Sequence, residues 1–314
     1  MQRPKLAVII VSWNTKDLTR KCIASALRSE RTFELEVLVI DNASSDDTPA
    51  MIEAEFPQVR LFANQQNLGF GRGCNQGLAN TNAEYIFLLN PDAEIEPTGL
   101  QRMADYLDAH PGVGALGCSL RYPDGSTQRA YYDFYSFIGS LTDNQLIKKR
   151  LKASIEEKTM PVDWVIGAVL MLRNSVLAEV GTFDEDFFLY GEEMELQFRM
   201  RKAGWEIVYL PEVAAIHHAG KSAGLARLNS TIHNYRGRYL FISKHYPPLS
   251  QWLYLAKAMF ALLFWTGFWT LQAILKPSEK ARAARNLNWQ VFRWHLDLPN
   301  LKASAGPIIA IKNS

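Results

Sequence analysis

The chain predicts an α/β fold, a mostly parallel sheet flanked by helices, followed by a helical C-terminal region. Three observations carry this expectation. From the start to about Ala215, short apolar runs rich in Val, Ile and Leu alternate with stretches of helical period, the pattern of strands joined by crossover helices. Several of those runs end in Asn, Asp or Ser, as strands do where they enter loops. Beyond His217-His218 the strand pattern stops, and long helical stretches replace it. With 314 residues, 48% of them hydrophobic, the chain can bury one large core or two modest ones.

The elements follow in order. Strands are predicted over Leu6–Val11, Glu36–Ile40, Val59–Phe62, Tyr85–Leu89, Val113–Cys118, Ala168–Leu172 and Ile207–Leu210. Helices are predicted over Leu18–Arg28, Asp47–Glu55, Gly71–Asn80, Leu100–Ala109 and Glu193–Ala203. Ser45, before Asp46 and Asp47, is the expected N-cap of the second helix, with acids in its first turn where the helix dipole favours them. The run Leu6–Val11 is short, lacks a small-residue cleavage site and leads into polar Ser12-Trp13-Asn14. It reads as a buried strand rather than a signal peptide, which places this part of the chain in the cytoplasm. Cys22, Cys74 and Cys118 are widely spaced and form no metal-binding or redox pair, so they are expected to act as small apolar residues in a reducing compartment. A formal net charge of +2 carries no overall mark of a nucleic-acid binder, and no nucleic-acid partner is expected.

The predicted boundary separates a domain over 1–222 from a helical region over 223–314. Leu225–Tyr246 reads as a helix of mixed polarity. Leu253–Leu275 follows, close in length to the ~20 residues that span a bilayer. Trp252, Trp265 and Trp269 lie along it, and Lys276, Lys280, Arg282 and Arg285 come directly after. Trp prefers the membrane interface and basic residues favour an anionic leaflet, so interfacial or re-entrant contact is expected ahead of a full span. The alternative is a helix buried in a soluble or oligomeric core; the oligomeric state is left open.

In open α/β sheets, ligands bind beyond the carboxyl ends of the strands. Strand one delivers Ser12-Trp13-Asn14, strand two delivers Asp41-Asn42-Ala43-Ser44, and the fourth delivers Asn90-Pro91-Asp92. Such residues are also ordinary turn formers, but three successive strand ends of this kind point to a site. Asp92 is a hard oxygen ligand suited to Mg²⁺ or Mn²⁺. In Phe183-Asp184-Glu185-Asp186-Phe187-Phe188-Leu189-Tyr190-Gly191-Glu192-Glu193-Met194-Glu195-Leu196, acids stand beside aromatics, surroundings that desolvate a carboxylate and raise its basicity. Taken alone, Glu192, Glu193 and Glu195 would read as acidic decoration of a helix N-terminus followed by Arg199 and Arg201.

Taken in order, Val11-Ser12-Trp13-Asn14, Asp41-Asn42-Ala43-Ser44-Ser45-Asp46, Asn67-Leu68-Gly69-Phe70-Gly71 through Asn75, Asn90-Pro91-Asp92, Gly167-Ala168 and the Phe183–Leu196 block resemble glycosyltransferase family 2. The resemblance is nearest to the bacterial rhamnosyltransferase-like branch, which builds polysaccharides on lipid carriers. It runs from about Lys5 to Ser222; each motif is weak alone, and their order and spacing together are specific. It implies a GT-A fold and an enzyme that moves a sugar from a nucleotide diphosphate sugar to a hydroxyl of a glycan or lipid-linked acceptor, with inversion. It also implies a divalent metal, Mn²⁺ or Mg²⁺, and work at the cytoplasmic face of the inner membrane as a peripheral or monotopic protein. Rhamnose from a thymidine diphosphate donor is the substrate the branch suggests.

Carried over residue by residue, the resemblance places Ser12, Asn14 and Asp41 in the nucleotide pocket. Asn67, Gly71 and Asn75 line the donor side, with Asn90 and Gly167 completing the donor-binding set. Asp92 takes the last position of the family's Asp-x-Asp metal motif, whose first acid is replaced here by Asn90. The family's general base is the second acid of a Glu-Asp pair; that position is Glu193, one methylene longer than Asp, with Glu192 as the other candidate. His217 matches a histidine that completes the metal site, with His218 as alternate and a strand-end histidine without a ligand role as the plain alternative. Residues from Arg121 to Pro161, with Tyr131, Tyr132, Phe134, Tyr135 and Phe137, are expected to shape the acceptor side.

Two rival functions draw on the same residues. A dinucleotide-dependent oxidoreductase would use Gly69-Phe70-Gly71-Arg72-Gly73, but that fingerprint belongs after the first strand, and this run follows the third. A non-catalytic nucleotide-sugar-binding module would use the same pocket without turnover, a reading kept open by the Glu at position 193.

Overall fold

The structure, a computed structural model, describes residues 5–135, 158–218 and 227–296. The described residues fall into two compact units. The first comprises 5–134, 158–188 and 192–218; the second comprises Tyr135, 189–191 and 227–296. The expected 222/223 boundary lies outside the described residues.

The first unit is built on a ten-stranded sheet. Its strands are β1 (Leu6–Ser12), β2 (Leu35–Asp41), β3 (Arg60–Ala63), β4 (Tyr85–Leu89), β5 (Ala93–Ile95), β6 (Val113–Arg121), β7 (Thr127–Gln128), β9 (Met160–Pro161), β11 (Val169–Arg173) and β12 (Glu206–His217). A separate pair is formed by β8 (Tyr131–Tyr132) and β10 (Trp164–Val165). The order across the main sheet is β3-β2-β1-β4-β11-β6-β12-β5, with β7 on β6 and β9 on β12. Strands β3, β2, β1 and β4 run parallel; β11 runs antiparallel to β4 and β6, and β12 returns parallel to β6. Every residue of β1 is buried, so its unbroken apolar run is that of a central strand covered on both faces.

The covering helices are α1 (Lys16–Leu27), α2 (Thr48–Glu55), α3 (Phe70–Leu78), α4 (Gly99–Ala109), α5 (Asn174–Val180) and α6 (Glu192–Lys202). Helix α3 approaches β1 closely because it presents glycine: a Cβ on Gly73 would lie 2.8 Å from Val11 Cγ1, and one on Gly77 would lie 2.6 Å from Ile9 Cγ2. The glycine run is therefore a packing surface against the sheet. The three cysteines are buried and free, as small apolar residues are.

Two elements depart from the sequence expectation. Helix α2 is not capped by Ser45: its N-cap is Asp47, at φ 60° with no side-chain cap bond, and its first turn holds no acid. Asp46 does the tying instead, accepting from the Lys16 N–H at 2.8 Å and from the Thr48 hydroxyl at 2.5 Å, so one carboxylate joins the starts of α1 and α2. Strand β12 does not stop at Leu210. Pro211-Glu212 breaks the apolar run, but the strand passes an irregularity between Leu210 and Ala214 and pairs with β6 again as far as Ile216. That continuation delivers His217 opposite Ala93.

The second unit is helical, with α7 (Arg227–His245), α8 (Pro248–Leu275) and α9 (Glu279–Leu296). Helix α9 falls within the helical region expected over 223–314, though no separate bounds are predicted for it. Ser278 Oγ accepts from the Ala281 N–H at 3.2 Å where α9 begins. Leu262, Val291 and Phe292 form an apolar cluster, joined by Leu228, Tyr235, Met259 and Leu287. Tyr235 and Tyr239 pack edge-on against His295 at 4.7 and 5.7 Å between ring centroids, and Tyr239 against Tyr254 at 5.3 Å.

Candidate active site

Three parallel strands in sequence β2-β1-β4 bring their carboxyl ends to one edge of the first unit, with Ser12 in register with Asp41. Asp41 is buried and accepts from the Ser44 N–H at 2.8 Å and the Ser44 hydroxyl at 2.6 Å. Burial nonetheless raises its pKa, outweighing those two bonds. Asn14, at φ 52°, stitches the first strand end to the second: its N–H donates to Ser44 Oγ at 2.8 Å and its Oδ1 accepts from the Ser45 N–H at 2.7 Å. Ser12 is buried, and its hydroxyl lies against Thr19 and Thr15 at 3.1 and 3.4 Å. It contributes main chain, not a free hydroxyl, to the edge.

The loop into α3 is shaped by Asn67, whose Oδ1 accepts from the Gly69 N–H at 2.9 Å. Gly69 sits at φ 86°, and a Cβ there would lie 2.4 Å from the Phe188 carbonyl oxygen. Gly71 passes close to the Asp184 and Phe187 carbonyls. Asn75 reaches the same loop: its Nδ2 donates to the Phe183 carbonyl at 2.9 Å and to Glu185 Oε1 at 3.1 Å. The donor-side residues expected at 67, 71 and 75 are thus brought onto the acidic block.

Beyond β4, Asn90-Pro91-Asp92-Ala93 makes a tight turn, closed by the Ala93 N–H on the Asn90 carbonyl at 2.9 Å. The Asn90 N–H donates to the Ala168 carbonyl at 2.9 Å, which sets Gly167-Ala168 beside that turn. The end of β12 is fastened on the other side, with the His218 N–H on the Asp92 carbonyl at 3.0 Å. Asp92 is 1% exposed and His217 is 7% exposed; His217 Nε2 faces Asp92 Oδ1 at 3.4 Å. His218 Nε2 faces Glu94 Oε1 instead, at 3.6 Å. Among the described residues no cluster of three or more His, Cys, Asp or Glu groups is arranged to hold a metal ion. Asp92 and His217 form a pair of hard and borderline donors, which suits a cation that takes its other ligands from phosphate and water.

Helix α6 opens with the acid pair. A Cβ on Gly167 would lie 3.2 Å from Glu193 Cβ and 3.3 Å from its Cγ, so the glycine makes room for that side chain beside the Asn90 turn. Glu192 is 3% exposed and its Oε2 has no hydrogen-bond partner among the described residues. Burial first, and then the charge of Glu193, pushes its pKa well above the ordinary carboxylate range. Glu195 is committed elsewhere, to a two-pronged ion pair with Arg199 at 2.8 to 2.9 Å. Arg199 in turn holds the Thr182 carbonyl at 2.6 Å.

One edge therefore gathers Asn14, Asp41, Asn90, Asp92, Gly167, Glu193 and His217. Two glutamines that sequence reasoning missed support it. Gln197, fully buried, donates to the Glu193 and Val165 carbonyls at 2.9 Å each and accepts from the Val165 N–H at 2.9 Å, locking α6 to β10. Gln128 Oε1 lies 2.9 Å from His217 Nδ1. A polar residue inside a helix, or one at the end of a two-residue strand, carries no distinguishing sequence signal. Of the aromatics expected near an acceptor, Tyr132 stacks on Trp164 at 5.1 Å and Phe134 packs edge-on against Phe198 at 5.0 Å; Phe137 lies outside the described residues.

The sequence model of the family described as Glycosyl transferase family 2 matches residues 7–179, more than half of the 314-residue chain. An N-acetylglucosaminyl-diphospho-decaprenol L-rhamnosyltransferase of Mycobacterium tuberculosis is 29% identical over 259 residues, 76% of this chain and 84% of that protein. The O-antigen biosynthesis protein RfbC of Myxococcus xanthus is 27% identical over 226 residues, 70% of this chain and 18% of that protein. Among solved structures, the mannosyltransferase PcManGT from Pyrobaculum calidifontis, in complex with GDP-Man and Mn²⁺, is similar at a TM-score of 0.57 and 18% identity, over 96% of this chain and 88% of that one. TarS 1-349 of S. aureus is similar at 0.51 and 15% identity, over 94% and 82%. At these identities the structural likeness concerns the fold, which is the GT-A arrangement expected from the sequence.

Proposed function

The chain belongs to glycosyl transferase family 2, and from that premise we propose that it moves a sugar, with inversion, from a nucleotide diphosphate sugar to a hydroxyl of a glycan or lipid-linked acceptor. The observation that carries the reading is the approach of His217 to Asp92 beyond the strand ends, with Glu193 beside Gly167 next to the Asn90 turn, where a donor is expected in an open α/β sheet. L-Rhamnose is the first sugar to test, because the mycobacterial relative is an L-rhamnosyltransferase acting on a diphospho-decaprenol-linked acceptor.

The roles divide by chemistry. Asn14, Asp41, Asn67, Gly71 and Asn75 form the donor side, where Asp41 accepts hydrogen bonds from the nucleoside; Ser12 supports that edge through its main chain. Asn90 and Gly167 border the sugar. A divalent cation, Mn²⁺ or Mg²⁺, held by Asp92 and His217 would offset the negative charge gathering on the departing diphosphate. Glu193 takes the proton of the acceptor hydroxyl as its oxygen bonds to the anomeric carbon; the bond to the diphosphate breaks and its electron pair leaves with the nucleoside diphosphate. Burial, and then the charge of Glu193, hold the Glu192 pKa well above the ordinary carboxylate range, and Glu193 is the member of the pair assigned as base. Residues Glu192, Glu193 and His217 lie beyond the segment matched by the family model, so geometry alone supports their roles.

The second unit supports work at a membrane. Pro248–Leu275 is long and apolar enough to cross one, with 11% of its most apolar window buried. We place the protein at the cytoplasmic face of the inner membrane, held by α8. The test of the whole reading is turnover. Purified protein with Mn²⁺, a panel of nucleotide sugars and a lipid-linked acceptor should release nucleoside diphosphate in step with glycosylated acceptor. Tight donor binding without release would instead mark a non-catalytic binding module.

A further inference from the structure

His217 is not free to choose its protonation pattern. Its Nδ1 lies 2.9 Å from Gln128 Oε1, and an amide oxygen has no proton to give, so this bond needs the proton on Nδ1. The other ring nitrogen, Nε2, is the one that faces Asp92 Oδ1 at 3.4 Å. With Nδ1–H spent on Gln128, the neutral ring turns its lone pair toward a carboxylate. Such a pair of donors is favourable when a positive charge lies between them: a second proton on Nε2 in the metal-free ring, or a divalent cation that takes that proton's place.

Gln128 is delivered there by a hairpin built for the purpose of a short return. β6 ends at Arg121, and the chain turns with the Tyr122 N–H on the Ser126 carbonyl at 2.8 Å and the Gly125 N–H on the Tyr122 carbonyl at 2.9 Å. Asp124 Oδ1 accepts from the Ser126 N–H at 2.9 Å, and Gly125 sits at φ 82°. Strand β7 then sets Gln128 in register with Leu120. The hairpin lies within the 121–161 stretch expected to shape the acceptor side, but Gln128 itself has no role in the assignments above.

We infer that Gln128 is a positioning residue: by holding His217 as the Nδ1–H tautomer, it directs the Nε2 lone pair and the Asp92 carboxylate onto one divalent cation. The inference rests on the reading of Asp92 and His217 as metal ligands. Such outer partners of a metal-binding histidine fix its ring and raise its basicity, and their loss typically weakens metal binding about 10–100-fold.

The test uses the full-length protein and Mn²⁺ alone, with no turnover needed. Nitrogen-correlated NMR of the neutral His217 ring in metal-free wild type should show the proton on Nδ1; a proton on Nε2 with bare Nδ1 overturns the inference. Mn²⁺ affinity, read from the paramagnetic resonance of free Mn²⁺, should fall about 10–100-fold in Gln128→Leu. Gln128→Glu keeps an acceptor oxygen for Nδ1–H and should bind within a few-fold of wild type. Wild-type affinity in Gln128→Leu, alongside loss in His217→Ala, overturns the role of Gln128 and leaves the metal reading standing. Unchanged affinity in His217→Ala removes His217 from the metal site, and the inference falls with it.

Discussion

Asn75 grips both polar groups of Phe183: its Oδ1 accepts from the Phe183 N–H at 3.0 Å, and its Nδ2 donates to the Phe183 carbonyl at 2.9 Å. A side chain on α3 thereby replaces the neighbouring strand that a loop lacks, and the loop it holds leads into the acid pair at the start of α6. Asn75→Leu removes both bonds and leaves two main-chain groups to find other partners. Loss of stability by about 1–3 kcal/mol is expected, with slower turnover. Urea unfolding measures the first; an unchanged midpoint would show that the loop is held by other contacts.

Asp92→Asn keeps the shape of the side chain and removes its charge. If Asp92 binds the cation that offsets the donor diphosphate, the variant loses most Mn²⁺-dependent donor affinity while its unfolding midpoint stays near that of wild type. Titration of a nucleotide sugar with and without Mn²⁺ decides the matter. Equal gain from metal in both proteins would remove Asp92 from the site.

The acid pair separates binding from chemistry. A general base acts in the transition state, so Glu193→Gln is expected to lower turnover by ~10²–10⁴-fold with little change in donor affinity. Glu192→Gln exchanges a protonated carboxyl for an amide of similar shape and should retain most of the activity. The reverse order of severity would exchange their roles, and near-normal rates in both would take the pair out of the chemistry.

The first unit was legible in the sequence wherever local pattern and final environment agree. The run Tyr85–Leu89 is apolar on both faces and became a strand with those bounds, because a central strand needs no partner-specific signal. The strand ends at Asn14, Asp41 and Asp92 were visible because turn-forming residues recur there. Elements that depend on distant partners were not visible. Strand β12 continues past Pro211 because β6 pairs with it on both sides of the irregularity and β5 pairs with its last residues. The acids of α6 gave a candidate base, but only the structure separates Glu195, bound to Arg199, from Glu193 beside Gly167. Gln128 and Gln197 matter for what they touch across the fold, a relation that spacing along the chain does not encode.

Burial of Glu192 also predicts how stability changes with pH. In the unfolded chain this group ionises near its ordinary value of 4.5; in the folded protein it holds its proton well above that, through burial and then through the charge of Glu193. Between those two values the native state carries a proton that the unfolded state has released. Its contribution is therefore complete below the unfolded value and lost as pH rises toward the folded one. Glu192→Gln cannot ionise, so the variant should gain stability relative to wild type as pH rises from about 4.5 through neutrality. Denaturant midpoints of the two proteins across that range should diverge; parallel curves would mean that the buried carboxyl pays no such cost.

Helix α8 carries the last prediction. Its 28 residues make a rod about 42 Å long, and its buried residues, Tyr254, Ala258 and Leu262, form one narrow stripe. Large apolar side chains lie exposed at Trp252, Phe260, Leu263, Phe264, Leu271 and Ile274, with Phe260 at 73% and Ile274 at 70%. At about 100° per residue these share the side opposite the buried stripe. Each Leu or Phe that enters the acyl boundary contributes ~1.5–3 kcal/mol, so a few suffice for firm binding without a full span. Lys276, Lys280 and Arg282 are exposed just beyond the helix and add roughly 1 kcal/mol apiece at an anionic leaflet. A lipid-linked acceptor presents its sugar at the headgroups, so an enzyme held there meets it without a search through solution. Full-length protein should co-sediment with anionic liposomes. Phe260→Ser combined with Phe264→Ser and Leu271→Ser should release it, because the exposed positions are not needed for packing. Reversal of charge at Lys276, Lys280 and Arg282 should weaken binding more at low salt than at high salt, since screening already suppresses that contribution. The same variants should transfer sugar to a soluble acceptor at close to the wild-type rate and act poorly on a lipid-linked one. Protein that stays in the supernatant at low salt, with α8 protected between copies of the chain, would make the exposed face an oligomer contact instead.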